Sequence, residues 1–123
     1  MLAKHAHWNV AGPTFTALHA LLDDIADVAR DAADRVAERS ATIGHYPDGR
    51  VSTIARDSVL PDLDAGPIRD RDVIAEFKNV LETVTARLRG AITVTGDDPV
   101  TEDLITETTA DIEKRAWIVR SHQ

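Results

Sequence analysis

The sequence predicts an all-α fold: a bundle of long amphipathic helices with a short helix in its long middle connection. Three observations carry this. Apolar residues recur at three- and four-residue steps over three long stretches. No two-residue alternation of the kind a half-buried strand needs persists anywhere. Glycine and proline fall between the periodic stretches rather than within them, with Gly90 the one exception.

Residues 1–11 read as the end of a helix. Gly12-Pro13 breaks it, because proline lacks the amide hydrogen a helix needs and disfavours helical geometry in the residue before it. Thr14 then suits an N-cap. The next helix spans 14–44, with Phe15, Leu18, Leu22, Ile25, Ala29, Ala32, Val36 and Ile43 as its packing stripe and Gly44 beyond its end. Tyr46-Pro47-Asp48-Gly49 is expected to turn. The long connection over 50–70 has room for a short helix at Ser52–Ser58. A third stretch, 71–94, aligns Val73, Phe77, Val80, Leu81, Val84, Leu88 and Ile92, and Gly96-Asp97-Asp98-Pro99 ends it. The last helix is expected over Thr101–His122, packing through Leu104, Ile105, Thr108, Ile112, Trp117 and Val119. Three long helices and a short first one make a single α-helical domain over 1–123.

Composition narrows the function. The 123 residues hold 14 Lys and Arg against 21 Asp and Glu, a formal net charge of −7, and no cysteine. Disulfides, thiolate metal sites and cysteine nucleophiles are therefore excluded. The acidic balance and the lack of a basic run argue against a phosphate-binding surface. No apolar run approaches the roughly 18 residues of a membrane span. The start, Met-Leu-Ala-Lys-His-Ala-His-Trp, lacks the apolar core of a signal peptide, so a cytoplasmic protein is expected.

The chemistry concentrates on the first long helix. At about 100° per residue, His19, Asp23, Asp27, Asp31, Asp34 and Glu38 share one face. A solvated outer face explains a row of acids well. Two features weigh against it here. His19/Asp23 and Asp34/Glu38 are i,i+4 pairs, whose side chains project together and can grip one cation. Aspartate is also a poor helix former, so a row of four inside a helix carries a cost. The two pairs are centred near positions 21 and 36, ~22 Å apart along the axis. Metal–ligand bonds are about 2.0–2.2 Å long, so one ion cannot join both pairs within one chain. Two antiparallel copies of the helix crossing near Val28-Ala29 can, and their symmetry makes two identical sites, half from each subunit. His7, folded back by the Gly12-Pro13 turn, can complete the set. Mixed imidazole and carboxylate ligands suit iron(II), manganese or zinc.

Other motifs are weak. No serine nucleophile elbow, phosphate-cradling glycine loop or HExxH is present. Glu38, Glu76, Glu107 and Glu113 are followed three residues on by Ala41, Asn79, Ala110 and Ala116, so no Glu-x-x-His marks a di-iron site inside one chain. His5 and His7, two residues apart on a helix, point in different directions.

The stretch Lys4-His5-Ala6-His7-Trp8-Asn9-Val10-Ala11-Gly12-Pro13-Thr14-Phe15 resembles the signature of the Dps family (DNA-binding protein from starved cells), the ferritin-like mini-ferritins of bacteria and archaea. Leu18-His19-x-x-Leu22-Asp23, Asp34-x-x-Ala37-Glu38-Arg39-x-x-x-Ile43-Gly44 and Asp111-Ile112-Glu113-Lys114-Arg115-Ala116-Trp117 continue the likeness, which covers essentially the whole chain and is nearer to actinobacterial members. The resemblance implies a ferritin-like four-helix bundle whose first helix is truncated here. It implies a ferroxidase site with His7, His19 and Asp23 from one subunit and Asp34 and Glu38 from its mate, and Trp8 nearby as a radical interceptor or packing aromatic. It implies iron as the metal, hydrogen peroxide as the oxidant, and a hollow dodecamer that stores iron(III). Acidic entry pores are a further family feature, and Asp98, Asp103 and Glu107 have suitable spacing; helix-dipole complementarity accounts for Asp98 and Asp103 nearly as well.

Two alternatives have distinct signatures. Family members that bind DNA often carry basic tails, and this chain ends Arg120-Ser121-His122-Gln123. A nucleoid-compacting oligomer with an incidental ferroxidase site therefore ranks second. An inert relative, too short to assemble, ranks third, because a missing helix leaves apolar stripes uncovered.

Overall fold

A computed structural model describes residues 1–122 as an α-helical bundle. Its helices are α1 (Leu2–Asn9), α2 (Phe15–Thr42), α3 (Val51–Asp57), α4 (Asp70–Ile92) and α5 (Pro99–Arg120). The boundaries follow the punctuation. Gly12 takes φ +144° at the α1–α2 corner, and Gly44 takes φ +94° just past α2. The short helix in the middle connection is present, one residue earlier than expected. Residues 45–50 form no assigned turn; Asp48 instead accepts from the Arg50 amide, the Arg50 guanidinium and the Thr53 hydroxyl.

One feature had no signature in the sequence. Val10–Ala11 (β1) and Ile68–Arg69 (β2) pair in parallel, Val10 opposite Ile68 and Ala11 opposite Arg69. Two residues are too few to show a pattern, yet the pairing fixes the α1–α2 corner against the entry to α4. Asp70 completes the junction, accepting from the Thr14 amide at 2.9 Å and the Thr14 hydroxyl at 2.7 Å. Thr14 thus stands at the N-cap position of α2 without capping it, since its hydroxyl is spent on Asp70.

Leu18, Leu21, Leu22 and Ile25 of α2 pack with Val73, Ile74, Phe77 and Leu81 of α4 and with Ile112, Ala116 and Val119 of α5, joined by Ala6 and Val10. Burial of this apolar surface is the main favourable term in folding. The expected packing stripe of α2 is buried at Leu18, Leu22 and Ile25 and half-buried at Ala32. Phe15, Ala29, Val36 and Ile43 are exposed, and so is Trp117 of α5 at 60%. The eight residues of α1 cover one end of an apolar trough of 290 Å³ between α2 and α4, lined by Ala29, Ala33, Val80 and Val84 among others.

Candidate metal centre

The α1–α2 corner lays α1 beside the first turns of α2 and brings His7 and His19 face to face. Their ring centroids are 3.6 Å apart and the planes differ by 23°. His7 is buried and His19 half-buried. His7 Nδ1 donates to the backbone carbonyl of His19 at 2.7 Å, and His19 Nδ1 donates to that of His7 at 2.9 Å. A carbonyl oxygen only accepts, so each Nδ1 carries the proton and each Nε2 keeps its lone pair. Backbone acceptors that fix the tautomer and orient the ring are the usual outer support of a metal-binding histidine.

Asp23 sits one turn beyond His19, beside the same seam. Lys4 Nζ donates to its Oδ1 at 2.5 Å. That hydrogen bond, reinforced by the charge of Lys4, holds the Asp23 carboxyl below its ordinary range. The acidic row of α2 therefore divides: His19 and Asp23 face α1, while Asp27, Asp31, Asp34 and Glu38 face outward. Asp27 and Asp31 pair with Arg30 and Arg35 on their own helix. Neither the Asp34 nor the Glu38 carboxylate has an ion-pair partner among the described residues. No three His, Asp or Glu side chains among the described residues come close enough to hold a metal within one chain. Trp8 is 63% exposed, with Lys4 Nζ lying 5.8 Å from its ring centroid.

The three residues considered for a pore are placed differently from one another. Asp98 is the N-cap of α5, accepting from the Thr101 amide and hydroxyl, and it pairs with Arg39 of α2 at 2.8 Å. The Thr101 hydroxyl first, then Arg39, pull its pKa down to about 2. Glu107 pairs with Arg35 of α2. Asp103 is exposed. Lys4 is the residue at the candidate centre that sequence reasoning passed over. It stood inside the family-like signature, but its sign gave no hint that it reaches 19 residues along the chain to Asp23.

Residues 1–123 match the ferritin-like domain family. A DNA protection during starvation protein from Deinococcus radiodurans is 40% identical over 122 residues, covering 96% of this chain and 49% of that protein. A fine tangled pili major subunit from Haemophilus ducreyi is 34% identical, covering 99% of this chain and 65% of that one. The solved structure of Dps from Microbacterium arborescens in the high iron form superposes with a TM-score of 0.93 at 33% identity, over 98% of this chain and 79% of that one. The chain thus spans half to two thirds of the length of these curated relatives. No helix among the described residues is long and apolar enough to cross a membrane.

Proposed function

The chain belongs to the ferritin-like family, in its Dps branch, and on that premise we propose that it is a ferroxidase and iron-storage subunit working at sites shared between two copies of the chain. The observation that carries the reading is the reciprocal His7–His19 arrangement, with both Nε2 atoms left as free donors beside Asp23. His7 and His19, with Asp23 one turn beyond, are what one copy offers toward an iron-binding set, and since no three such side chains converge among the described residues of one chain, the set needs a second copy. Asp34 and Glu38 of a second copy supply the other half when two α2 helices cross antiparallel near Val28-Ala29. Their exposure and lack of ion-pair partners suit ligands offered to a neighbour.

Iron(II) and hydrogen peroxide are the substrates. Two iron(II) ions give one electron each to one peroxide, the O–O bond breaks, and two protons complete two waters. Delivering both electrons from one site avoids the one-electron product, hydroxyl radical. Carboxylates suit the product because hard oxygen donors favour iron(III). The product is stored in a hollow dodecamer of the chain, in the cytoplasm. Protection of DNA follows from removing iron and peroxide; a surface of net charge −7 does not favour coating a duplex.

The decisive experiment adds iron(II) anaerobically to the assembled protein, then peroxide, and follows ferric absorbance. An Asp34→Ala/Glu38→Ala variant is expected to lose rapid oxidation; oxidation at the wild-type rate would overturn the assignment. Light scattering on a sizing column tests the assembly, and a monomer overturns the storage role. Duplex binding that is tight at low salt and collapses as salt rises would instead favour the nucleoid-compacting reading.

A further inference from the structure

Lys4 is buried along its stem, with 15% of its side chain exposed against 49% for Asp23. It leaves α1 one turn before His7 and Trp8, passes the Trp8 ring, and ends with its ammonium on the one aspartate that adjoins the His7–His19 pair. A cation therefore already occupies the carboxylate that a metal ion needs. We propose that Lys4 is a specificity-determining residue: a built-in counter-cation that holds Asp23 until an incoming divalent metal ion displaces it. The inference rests on the metal centre proposed above.

The physical case has three parts. An ammonium and a divalent ion repel each other strongly at hydrogen-bond range in a partly desolvated seam, so they do not share Asp23 at full contact. The exchange is possible because lysine is a compact charge on a flexible four-carbon stem, and its three donors need no fixed geometry. The displaced ammonium has a place to go, since the Trp8 face lies 5.8 Å away and an aromatic ring face attracts a cation. The device makes the empty site electrically quiet. It lowers affinity for every cation, so that only ions also gripped by the free His7 and His19 nitrogens repay the displacement. A divalent metal that ligates imidazole does so; sodium, potassium and magnesium do not.

The test uses the assembled protein and cobalt(II), a divalent probe whose absorption reports imidazole and carboxylate ligation without turnover. Lys4→Met keeps the stem and removes the charge; Lys4→Arg keeps the charge. Lys4→Met is expected to bind cobalt(II) roughly threefold to thirtyfold more tightly than wild type, and Lys4→Arg no more tightly. A second arm needs no variant. Wild-type protein is treated with an amine-acetylating reagent with and without saturating cobalt(II), and acetylation of Lys4 is read by mass spectrometry of its peptide. Metal is expected to raise it severalfold as the ammonium leaves Asp23. Equal or weaker binding by Lys4→Met, or Lys4 reactivity unmoved by bound metal, overturns the proposal and leaves the metal centre standing. No cobalt(II) binding by wild type or variant overturns both.

Discussion

His7 and His19 hold each other by backbone as well as by ring: each Nδ1 donates to the other residue's carbonyl while the rings stack at 3.6 Å. The acceptors belong to the main chain and survive replacement of either ring. His7→Ala should therefore remove one imidazole without changing the tautomer of the other. Nitrogen-15 shifts of the imidazoles check this: both histidines are expected as Nδ1–H tautomers in the metal-free wild type, and His19 as the same in His7→Ala. Cobalt(II) affinity should fall roughly tenfold or more in His7→Ala, on the scale of losses at metal sites. An Nε2–H tautomer at either residue in the metal-free wild type would remove the lone pair on which the centre depends.

A site split between copies makes a prediction that a site inside one chain does not. His7→Ala/His19→Ala subunits lack one half, and Asp34→Ala/Glu38→Ala subunits lack the other. Each variant alone should be inactive. Unfolded together in equal amounts and reassembled at random, half of the two-fold pairs are mixed, and each mixed pair has one complete site of its two. Ferric absorbance after peroxide should then recover to about a quarter of the wild-type rate. No recovery, with both variants still assembling, would place all the ligands in one subunit.

Gly12 is required by both its backbone and its surroundings. Its φ of +144° is open essentially to glycine alone, and a Cβ there would come closer than 3.0 Å to the Asp70 carboxyl group. Gly12→Ala should cost about 1–3 kcal/mol in unfolding free energy, as residues forced into such conformations do. Urea denaturation measures it. Because the same corner sets α1 beside α2, cobalt(II) binding by the folded fraction should weaken as well.

The core can be told from the surface by one pair of substitutions. Phe77 is 2% exposed among α2 and α5 side chains, so Phe77→Ala should cost roughly 3–5 kcal/mol. Tyr46 is 97% exposed, and Tyr46→Ala should move stability by no more than about 0.5 kcal/mol. Denaturant midpoints of the two variants test this. A large cost at Tyr46 would show that it is covered in the assembly.

What could be read in the residues, and what could not, separates along local and distant causes. The ends of α2 were legible because Gly12-Pro13 and Gly44 are local chemistry, acting on the backbone beside them. The apolar stripe of α2 was legible as a face, but periodicity does not say what covers a face, so Val36 and Ile43 read as packed and stand exposed. Trp117 misled in the same way, as a large aromatic at helical spacing that faces out. Thr14 was legible as a helix start, but its hydroxyl is claimed by Asp70, 56 residues away. At the centre, the His19/Asp23 spacing and the fold-back of His7 placed three residues at one seam. Lys4 on Asp23 escaped because a pairing between helices depends on their register, which spacing along one helix does not report.

Asp98 ties the start of α5 to α2, and acid should loosen it. Its carboxylate accepts from the Thr101 amide and hydroxyl and from Arg39, which lowers its pKa in the folded chain from 3.8 to about 2. A depressed pKa means that the charged form is favoured by folding, so the contribution is complete above pH 3.8 and disappears as pH falls toward 2. Asp23, Asp48 and Asp70 are also held low, by Lys4, by Arg50 and by Thr14 respectively, and add to the same loss. Asp98 is isolated by difference. Asp98→Asn keeps a capping oxygen but has no charge for Arg39. At neutral pH it should be less stable than wild type, and Asp98→Ala less stable again. Below pH 3.8 the gap between wild type and Asp98→Asn should shrink and close near pH 2, because the wild-type carboxyl is then neutral as well. Urea midpoints measured across this window give the gap directly. A constant gap would mean that the Asp98–Arg39 pair does not contribute to stability and that α5 is held by its cap and its apolar face alone.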